Sequence, residues 1–147
     1  MKIGIASDHR GYNLKEQIKN VSNYEIIDYG TNSTESCDYP DYAYKLSQGV
    51  LNNEVDFGIA ICGSGIGISI ACNKVKGIRC AKVSTPEEAT YTRNDNDSNI
   101  VAFSEQTDLE TALQIIDKFI NTPFSNEEKH LRRINKIKEI EEGTYEG

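Results

Sequence analysis

The clearest sign of chemistry in the sequence is a glycine-rich turn that directly follows a cysteine. Segment 56–73 reads DFGIAICGSGIGISIACN: a short apolar run ends at Cys62, and the GSGIG turn at 63–67 leads into a second apolar run. This pattern is typical of a buried parallel strand, a tight turn and the start of a helix. Such a turn directs several backbone N–H groups at one point, so we expect it to stabilise an anion or a developing negative charge.

Two interpretations of Cys62 follow from this position. It is either a buried structural thiol at a strand end, or a thiolate stabilised by the helix N-terminus that acts as nucleophile or base. A cysteine phosphatase loop would require arginine at position 68, which is isoleucine. The turn also lacks the P-loop lysine and follows the third predicted strand rather than the first, which disfavours a nucleotide site.

The composition narrows the class of protein. The chain has 147 residues, of which 27% are charged and 37% hydrophobic, which predicts one globular domain over 1–147. A net charge of −7 argues against a nucleic-acid partner, and no apolar run is long enough to cross a membrane. Because segment 1–11 lacks the apolar core of a signal peptide, we expect a cytoplasmic protein.

Cysteine and histidine usage predicts no metal site. There are two histidines, and no two of the four cysteines have CxxC spacing, so a structural zinc site is not expected. In a reducing compartment most of these thiols are predicted to be small buried hydrophobes. The cysteines are Cys37, Cys62, Cys72 and Cys80.

Hydrophobic periodicity and turn signals predict five strands that alternate with helices, followed by a C-terminal helix. This order predicts a single doubly wound, Rossmann-like α/β domain with a mainly parallel five-stranded sheet and helices on both faces. Capping boxes are predicted at Thr85 and Thr107, the last helix is predicted to begin at Ser125, and 94–98 is predicted to be a loop. The predicted strands are 2–7, 25–29, 57–62, 79–83 and 99–103.

Loops at the carboxyl ends of parallel strands are where ligands bind in such folds. The segment 8–10 (Asp-His-Arg) follows the first strand and 62–67 follows the third, so both should share one rim. Segment 94–98 precedes the fifth strand, which places it at the opposite rim of its own subunit. This topology suggests that a second subunit supplies segment 94–98 to the site.

Several other candidates have a simpler interpretation when each is taken alone. Asp8 is suited to capping the first helix, and Asp95 in a polar segment is typical of a protein surface. Lys129 and Arg133 are four residues apart on the last predicted helix, where they form either a solvated basic face or a phosphate clamp.

Taken together, these segments resemble the ribose-5-phosphate isomerase B family, which also includes galactose-6-phosphate isomerase subunits. The resemblance runs nearly end to end in the same order, and CGSGIGISIA is its most specific part. The matching segments are SDHRGYNLK at 7–15, IIDYGT at 26–31, DYPDYA at 38–43, ICGSGIGISIACNKVKGIR at 61–79, NDSNIVAF at 96–103 and KHLRR at 129–133.

The resemblance implies isomerisation of a phosphorylated aldose to a ketose through a cis-enediolate, without metal or cofactor. It implies ribose 5-phosphate and ribulose 5-phosphate as substrates, in the pentose phosphate pathway. It also implies a homodimer or homotetramer with active sites between subunits. Allose or galactose 6-phosphate is an alternative substrate, and a non-catalytic phosphosugar-binding subunit is an alternative function.

By position, the resemblance also implies a role for each candidate. Cys62 would be the base, with the Ser64 hydroxyl and the turn N–H groups around the enediolate oxygens, and Asp95 would take part in ring opening. The substrate-binding residues would be Asp8 and His9 on the sugar, Gly63, Gly65, Ile66 and Gly67 in the turn, Asn96 orienting the sugar, and Lys129 and Arg133 on the phosphate.

Three positions depart from the pattern. Asp95 stands where family members commonly have the ring-opening histidine, and an ordinary aspartate has a pKa near 3.9, which suits neutral-pH proton transfer only if raised. Gln106 and Lys129 stand where the family often has arginine, which removes guanidinium donors for phosphate. Besides Asp95, another group such as His9 could open the ring, or the enzyme could use free open-chain sugar.

Overall fold

Five parallel strands form the sheet that positions every candidate residue. The computed structural model describes residues 1–147, and its strands lie side by side in the order β2-β1-β3-β5-β4, all neighbours being parallel. The central strand is therefore the one that leads into the glycine turn. The strands are β1 Lys2–Ser7, β2 Glu25–Asp28, β3 Phe57–Cys62, β4 Cys80–Lys82 and β5 Ile100–Ser104.

Six helices cover the two faces of this sheet, which confirms the predicted doubly wound α/β fold. No helix combines the length and the apolar character that crossing a membrane requires. The helices are α1 Tyr12–Val21, α2 Tyr39–Leu51, α3 Ile66–Asn73, α4 Pro86–Asn96, α5 Leu109–Asn121 and α6 Glu128–Glu142.

Strand alternation divides the interior into two cores. In β3, Ile59 and Ile61 point into the core that also contains residues of α1 and α5. Ala60 and Cys62 point into the other core, with residues of α2 and α3. Since successive side chains of a strand point to opposite faces, Cys62 lies on the α2–α3 side of the sheet.

Helix α4 is longer than predicted. The prediction that 94–98 is a loop was wrong for 94–96, which continue the helix to Asn96. Asp97, with φ of 48°, ends the helix, and its backbone N–H donates to Arg93 O. The Arg79 side chain donates to the carbonyls of Asn96 and Asp97 at 2.9 and 3.0 Å. These tertiary contacts outweigh the mildly poor helix propensity of Asn and Asp, which costs only tenths of a kcal/mol.

Two predicted caps also differ from the structure. At α5 the capping residue is Asp108 rather than Thr107, since Asp108 Oδ1 accepts the Thr111 N–H at 2.8 Å. Helix α6 begins at Glu128 rather than Ser125, and Ser125 Oγ instead contacts His130 Nδ1 at 2.7 Å. The Thr85 cap is confirmed: its Oγ1 accepts the Glu88 N–H at 3.2 Å.

Arg93 anchors the end of α4 in the interior. Its side chain is 9% exposed and lies 2.8 Å from Asp97. It donates to the carbonyl oxygens of Ser98 at 2.7 Å and Thr122 at 3.3 Å. The guanidinium also stacks 4.8 Å from the Phe57 ring centroid. This one side chain joins α4, β5 and the end of α5.

Replacing Arg93 with methionine should therefore destabilise the protein strongly. Arg93→Met leaves buried carbonyls without donors, and we expect the free energy of unfolding to fall by about 2–4 kcal/mol. The matched control is Arg132→Met, which removes an exposed pair with Glu128 on α6 and should change it by less than ~0.5 kcal/mol. Urea denaturation measures both, and equal losses in the two variants would contradict the anchoring role.

A buried ion cluster joins α1 to the end of β2. Lys15, whose side chain is fully buried, lies 2.6 Å from Asp28 Oδ2, and Lys19 Nζ lies 2.7 Å from the same oxygen. The Gly30 N–H donates to Asp28 Oδ1 at 2.8 Å. Burial alone would raise the pKa of Asp28, but the two ammonium groups and this N–H outweigh it, so the pKa lies below its ordinary value.

This depressed pKa makes the cluster sensitive to acid. Its contribution to stability is intact above the unfolded-state pKa of about 3.9 and is lost as pH falls through the lower folded-state pKa. We therefore expect Asp28→Asn to be less stable than the wild type at pH 7, because the buried Lys15 loses its nearer counter-ion and keeps only Glu16, at 3.3 Å. The difference should narrow as the pH falls below about 4.

Urea denaturation of both proteins across this pH range measures the difference. The control is Asp41→Asn, which alters an exposed carboxylate in the first turn of α2 and should show a small difference throughout. A constant difference between wild type and Asp28→Asn from pH 7 to strong acid would contradict the prediction.

Candidate active site

The glycine turn begins at the carboxyl end of the central strand. Cys62 is the last residue of β3 and is 4% exposed. Its Sγ accepts the Gly65 N–H at 3.2 Å, while Ser64 Oγ accepts the Ile66 N–H at 3.1 Å. A backbone N–H at the start of a helix is thus directed at the sulfur. The first N–H groups of α3 have no intrahelical partners and face the same region.

The turn is held against the end of β5. Gly65 has φ of +79° and precedes α3, and a Cβ at this position would lie 2.7 Å from the Phe103 carbonyl carbon. Ser104 Oγ donates to Gly63 O at 2.7 Å, and the Glu105 N–H donates to Cys62 O at 2.9 Å. Glycine is required at position 65 by both its conformation and the space available.

A cavity of about 670 Å³ opens above this turn. The loops after β1 and β3 both line it, which confirms that they share one rim. Of the predicted site residues, Asp8, Cys62, Gly63, Ser64, Ile66 and Gly67 line the cavity. Its other lining residues are Arg10, Tyr39, Lys82, Ser104 and Gln106.

Asp8 lines the cavity and His9 does not, although the two residues are adjacent in the loop after β1. Asp8 Oδ1 accepts the N–H groups of Arg10 at 3.0 Å and Gly11 at 3.1 Å, so this oxygen holds the loop before α1. Its Oδ2 makes no hydrogen bond within the chain and is available to a ligand. His9 is half-buried outside the cavity lining, and its Nδ1 accepts the Cys37 N–H at 3.2 Å.

The remaining predicted site residues lie away from this cavity. Asp95 and Asn96 are at the C-terminal end of α4, and Lys129 and Arg133 are on α6. Asp95 Oδ1 lies 3.6 Å from Nε2 of the buried His130. None of these four side chains lines the cavity beside Cys62. One subunit thus carries two separate groups of candidate residues, and the separation of segment 94–98 from the cavity is what the topology predicted.

No group of three His, Cys, Asp or Glu side chains is arranged so that it could hold a metal ion.

The sequence and the fold both match known proteins. The sequence profile described as Ribose/Galactose Isomerase matches residues 3–137. The chain belongs to this family. Ribose-5-phosphate isomerase B of Escherichia coli K12 is 41% identical over 145 residues, covering 96% of this chain and 97% of the relative.

Solved structures of the ribose/galactose isomerase family superpose closely on this chain. The Clostridium thermocellum ribose-5-phosphate isomerase B matches with a TM-score of 0.93 and 47% identity, covering 97% of this chain and 99% of that one. The Mycoplasma genitalium enzyme, solved with bound ribulose-5-phosphate, matches with a TM-score of 0.87 and 35% identity, and 96% of each chain is covered. The chain is accordingly an isomerase with this family's single α/β fold.

The two cationic residues that line the cavity of this isomerase, Arg10 and Lys82, were absent from the predicted site. Arg10 Nη2 lies 2.8 Å from Glu105 Oε1 at the cavity mouth. The hydrogen bond that Arg10 donates to Glu105 and the negative charge of that carboxylate raise the pKa of Arg10 above its ordinary value. Arg10 stands in the 8–10 loop, which was predicted to face the site, but nothing near it in sequence indicates a partner just after the distant β5.

Proposed function

We propose that the chain interconverts ribose 5-phosphate and ribulose 5-phosphate, a step of the pentose phosphate pathway, without a metal ion. The observation that supports this most directly is the Cys62 thiol below the cavity, bonded to the Gly65 N–H at 3.2 Å. The names of the similar proteins support the substrate: the Escherichia coli relative is a ribose-5-phosphate isomerase B, and the Mycoplasma genitalium structure holds ribulose-5-phosphate.

In the proposed mechanism Cys62 is the base for both proton transfers on carbon. The thiolate takes the proton from C2 of the open-chain aldose, and the C–H electron pair forms the C1–C2 double bond as the C1 carbonyl becomes an oxyanion. The proton on the C2 hydroxyl moves to the C1 oxygen. The thiol then returns its proton to C1, and C2 becomes the carbonyl of the ketose.

The glycine turn would stabilise the cis-enediolate between these steps. Backbone N–H groups at the start of α3 and the Ser64 hydroxyl lie beside Cys62, where negative charge develops on both oxygens. Because these donors are fixed by the contact between Gly65 and Phe103, they need little reorganisation as the charge forms. Asp8 Oδ2 and His9 would hold the sugar hydroxyls.

Removing the thiol should abolish most of the activity while keeping the fold. We expect Cys62→Ala and Cys62→Ser to lower kcat by roughly 10²–10⁴-fold, as for the loss of a general base. The control is Cys80→Ala, which removes a thiol on β4 outside the cavity lining and should keep kcat. Conversion of purified sugar phosphate is the measurement, and full activity in Cys62→Ala would disprove the proposed base.

The substrate itself is tested by comparing kcat/KM for ribose 5-phosphate, allose 6-phosphate and galactose 6-phosphate on the purified protein. We expect the pentose to be preferred. A higher value for either hexose would replace the proposed substrate with that sugar. Calorimetric binding of a phosphosugar without turnover would instead indicate a non-catalytic subunit, and so would contradict the proposal.

A second copy of the chain is proposed to complete each site. Ile66 and Ile70 on the outer face of α3 are 54% and 56% exposed, beside the cavity. Ile137 and Ile140 on α6 are 45% and 61% exposed. Apolar faces of this kind support an interface between subunits. In a homodimer, or in a tetramer built from it, α4 and α6 of one subunit would meet the cavity of the other.

In this arrangement the partner subunit would supply the four residues that lie away from the cavity. Asp95 would open the sugar ring, and its carboxylate lies 3.6 Å from the ring nitrogen of His130. Asn96 would orient the sugar. Lys129 and Arg133 would bind the phosphate, and Arg133 makes no ion pair within its own chain.

Shared sites predict recovery of activity in mixed oligomers. Cys62→Ala and Arg133→Ala should each be weakly active alone. After co-expression, random pairing into dimers gives sites of which about a quarter contain both native residues, so activity should rise to roughly a quarter of wild type. The control mixture is Cys62→Ala with Cys62→Ser, which cannot form a native site. Light scattering reports the oligomer, and a mixture no more active than its components would contradict the shared site.

A further inference from the structure

The cavity has few positive groups of its own for an anionic substrate. Its only cationic lining residues are Arg10 and Lys82. Lys82 is exposed, and its Nζ donates to Ser84 Oγ at 3.0 Å. Lys129 and Arg133 belong to α6 and do not line the cavity of their own subunit. Gln106, at the same rim, carries no charge.

Arg10 lies over the glycine turn and is bound only loosely. Its guanidinium carbon would be 3.5 Å from a Cβ at Gly63, the residue that follows Cys62. Both Nε and Nη2 donate to the same oxygen, Glu105 Oε1, at 3.3 and 2.8 Å. Nη1 has no hydrogen-bond partner, and neither has the second carboxylate oxygen. The pair therefore lacks the two parallel bonds of the strongest arginine–carboxylate geometry.

The pair is also accessible to a ligand. The Arg10 side chain is 57% exposed and that of Glu105 is 29% exposed, and an ion pair with this exposure contributes little to stability. Nothing else in the chain holds the guanidinium in place. A phosphate dianion offers more charge and more acceptor oxygens than one carboxylate does, and guanidinium binds it through two parallel hydrogen bonds.

We propose that Arg10 is a phosphate-binding residue of this isomerase, supplied by the same subunit as Cys62, and that Glu105 holds it until substrate enters. The substrate class is a sugar phosphate monoester. Its phosphate is at the far end of the sugar from C1 and C2, so it would lie on the exposed side of the guanidinium while the reacting carbons lie near the thiol. This inference deepens the proposed function and rests on it.

The role of Glu105 is to compete with the phosphate. Its backbone is fixed, since the Glu105 N–H donates to Cys62 O at 2.9 Å, so the carboxylate stays at the rim. In the empty enzyme it keeps Arg10 over the turn and reduces the positive charge there. When phosphate replaces the carboxylate, Glu105 is left exposed to solvent, where its charge is hydrated at little cost.

The proposal is tested first with inorganic phosphate as the probe, because its binding to the full-length protein requires no turnover. We expect Arg10→Met to raise the Kd for phosphate, measured by calorimetry, by roughly 10- to 100-fold, as for the loss of charge-assisted hydrogen bonds. With ribose 5-phosphate the KM should rise by a similar factor while kcat changes little. Arg10→Lys should recover only part of the loss, because lysine lacks the planar fork.

Glu105→Gln should act in the opposite direction. Without the competing carboxylate, we expect the Kd for phosphate to fall by roughly threefold or more. The double variant Arg10→Met/Glu105→Gln should bind phosphate as weakly as Arg10→Met, because the effect of Glu105 depends on Arg10. If the Glu105→Gln gain persists in the double variant, the carboxylate acts directly on phosphate and the proposed competition is wrong.

Lys118 provides a control away from both the cavity and α6. It is an exposed cation on α5 outside the cavity lining, and Lys118→Met should leave phosphate affinity unchanged. An unchanged phosphate Kd in Arg10→Met would overturn the proposal. A lower kcat at an unchanged KM would also overturn it, since that result would mean that Arg10 assists the reaction at the Cys62 thiol rather than the binding of phosphate. Absence of all isomerisation, with phosphate binding still dependent on Arg10, would refute the proposed function alone.

Discussion

The close approach of Gly65 to the backbone of Phe103 is the constraint on which the site depends. It brings the turn after β3 against the end of β5, where Ser104 and Glu105 bond to the turn's carbonyl groups. A side chain at position 65 would separate these segments, because its Cβ would fall within 2.7 Å of a backbone atom. Without that contact, neither the Cys62 thiol nor the α3 N–H groups would have a fixed direction.

The same parallel topology divides the candidate site into two parts. Residues that follow strands collect at the carboxyl rim, as Asp8 and Cys62 do, and residues that precede a strand collect at the other. Asp95 and Asn96 end α4 just before β5, and no rearrangement within one chain of this fold brings them to the carboxyl rim. A site that used both groups would need two subunits. The exposed isoleucines of α3 and α6 would then form part of the contact between them.

The features that could be predicted from the sequence are those set by interactions between residues close together along the chain. The β3–turn–α3 unit and the cap at Thr85 depend on neighbouring residues, and the structure confirms both. The fold class is also confirmed, because the alternation of strands and helices along the chain already indicates a parallel sheet covered by helices. The end of α4 was mispredicted because Arg79 and Arg93, whose partners are far away in sequence or buried, extend it past 93. The Arg10–Glu105 pair was missed for the same reason, while the roles assigned to the site residues remain predictions.

The buried cluster around Asp28 also helps to hold the loop after β1 in place. Asp28 fixes the Gly30 N–H, Gly30 O accepts the Ser7 N–H at 2.7 Å, and Ser7 O accepts the Thr31 N–H at 2.8 Å. Ser7 directly precedes Asp8, whose Oδ1 in turn fixes the backbone of Arg10. A chain of hydrogen bonds thus connects the buried Lys15 ammonium to the backbone that carries the proposed sugar and phosphate groups. The backbone that leads into the cavity is therefore held by a carboxylate that lies outside the cavity lining.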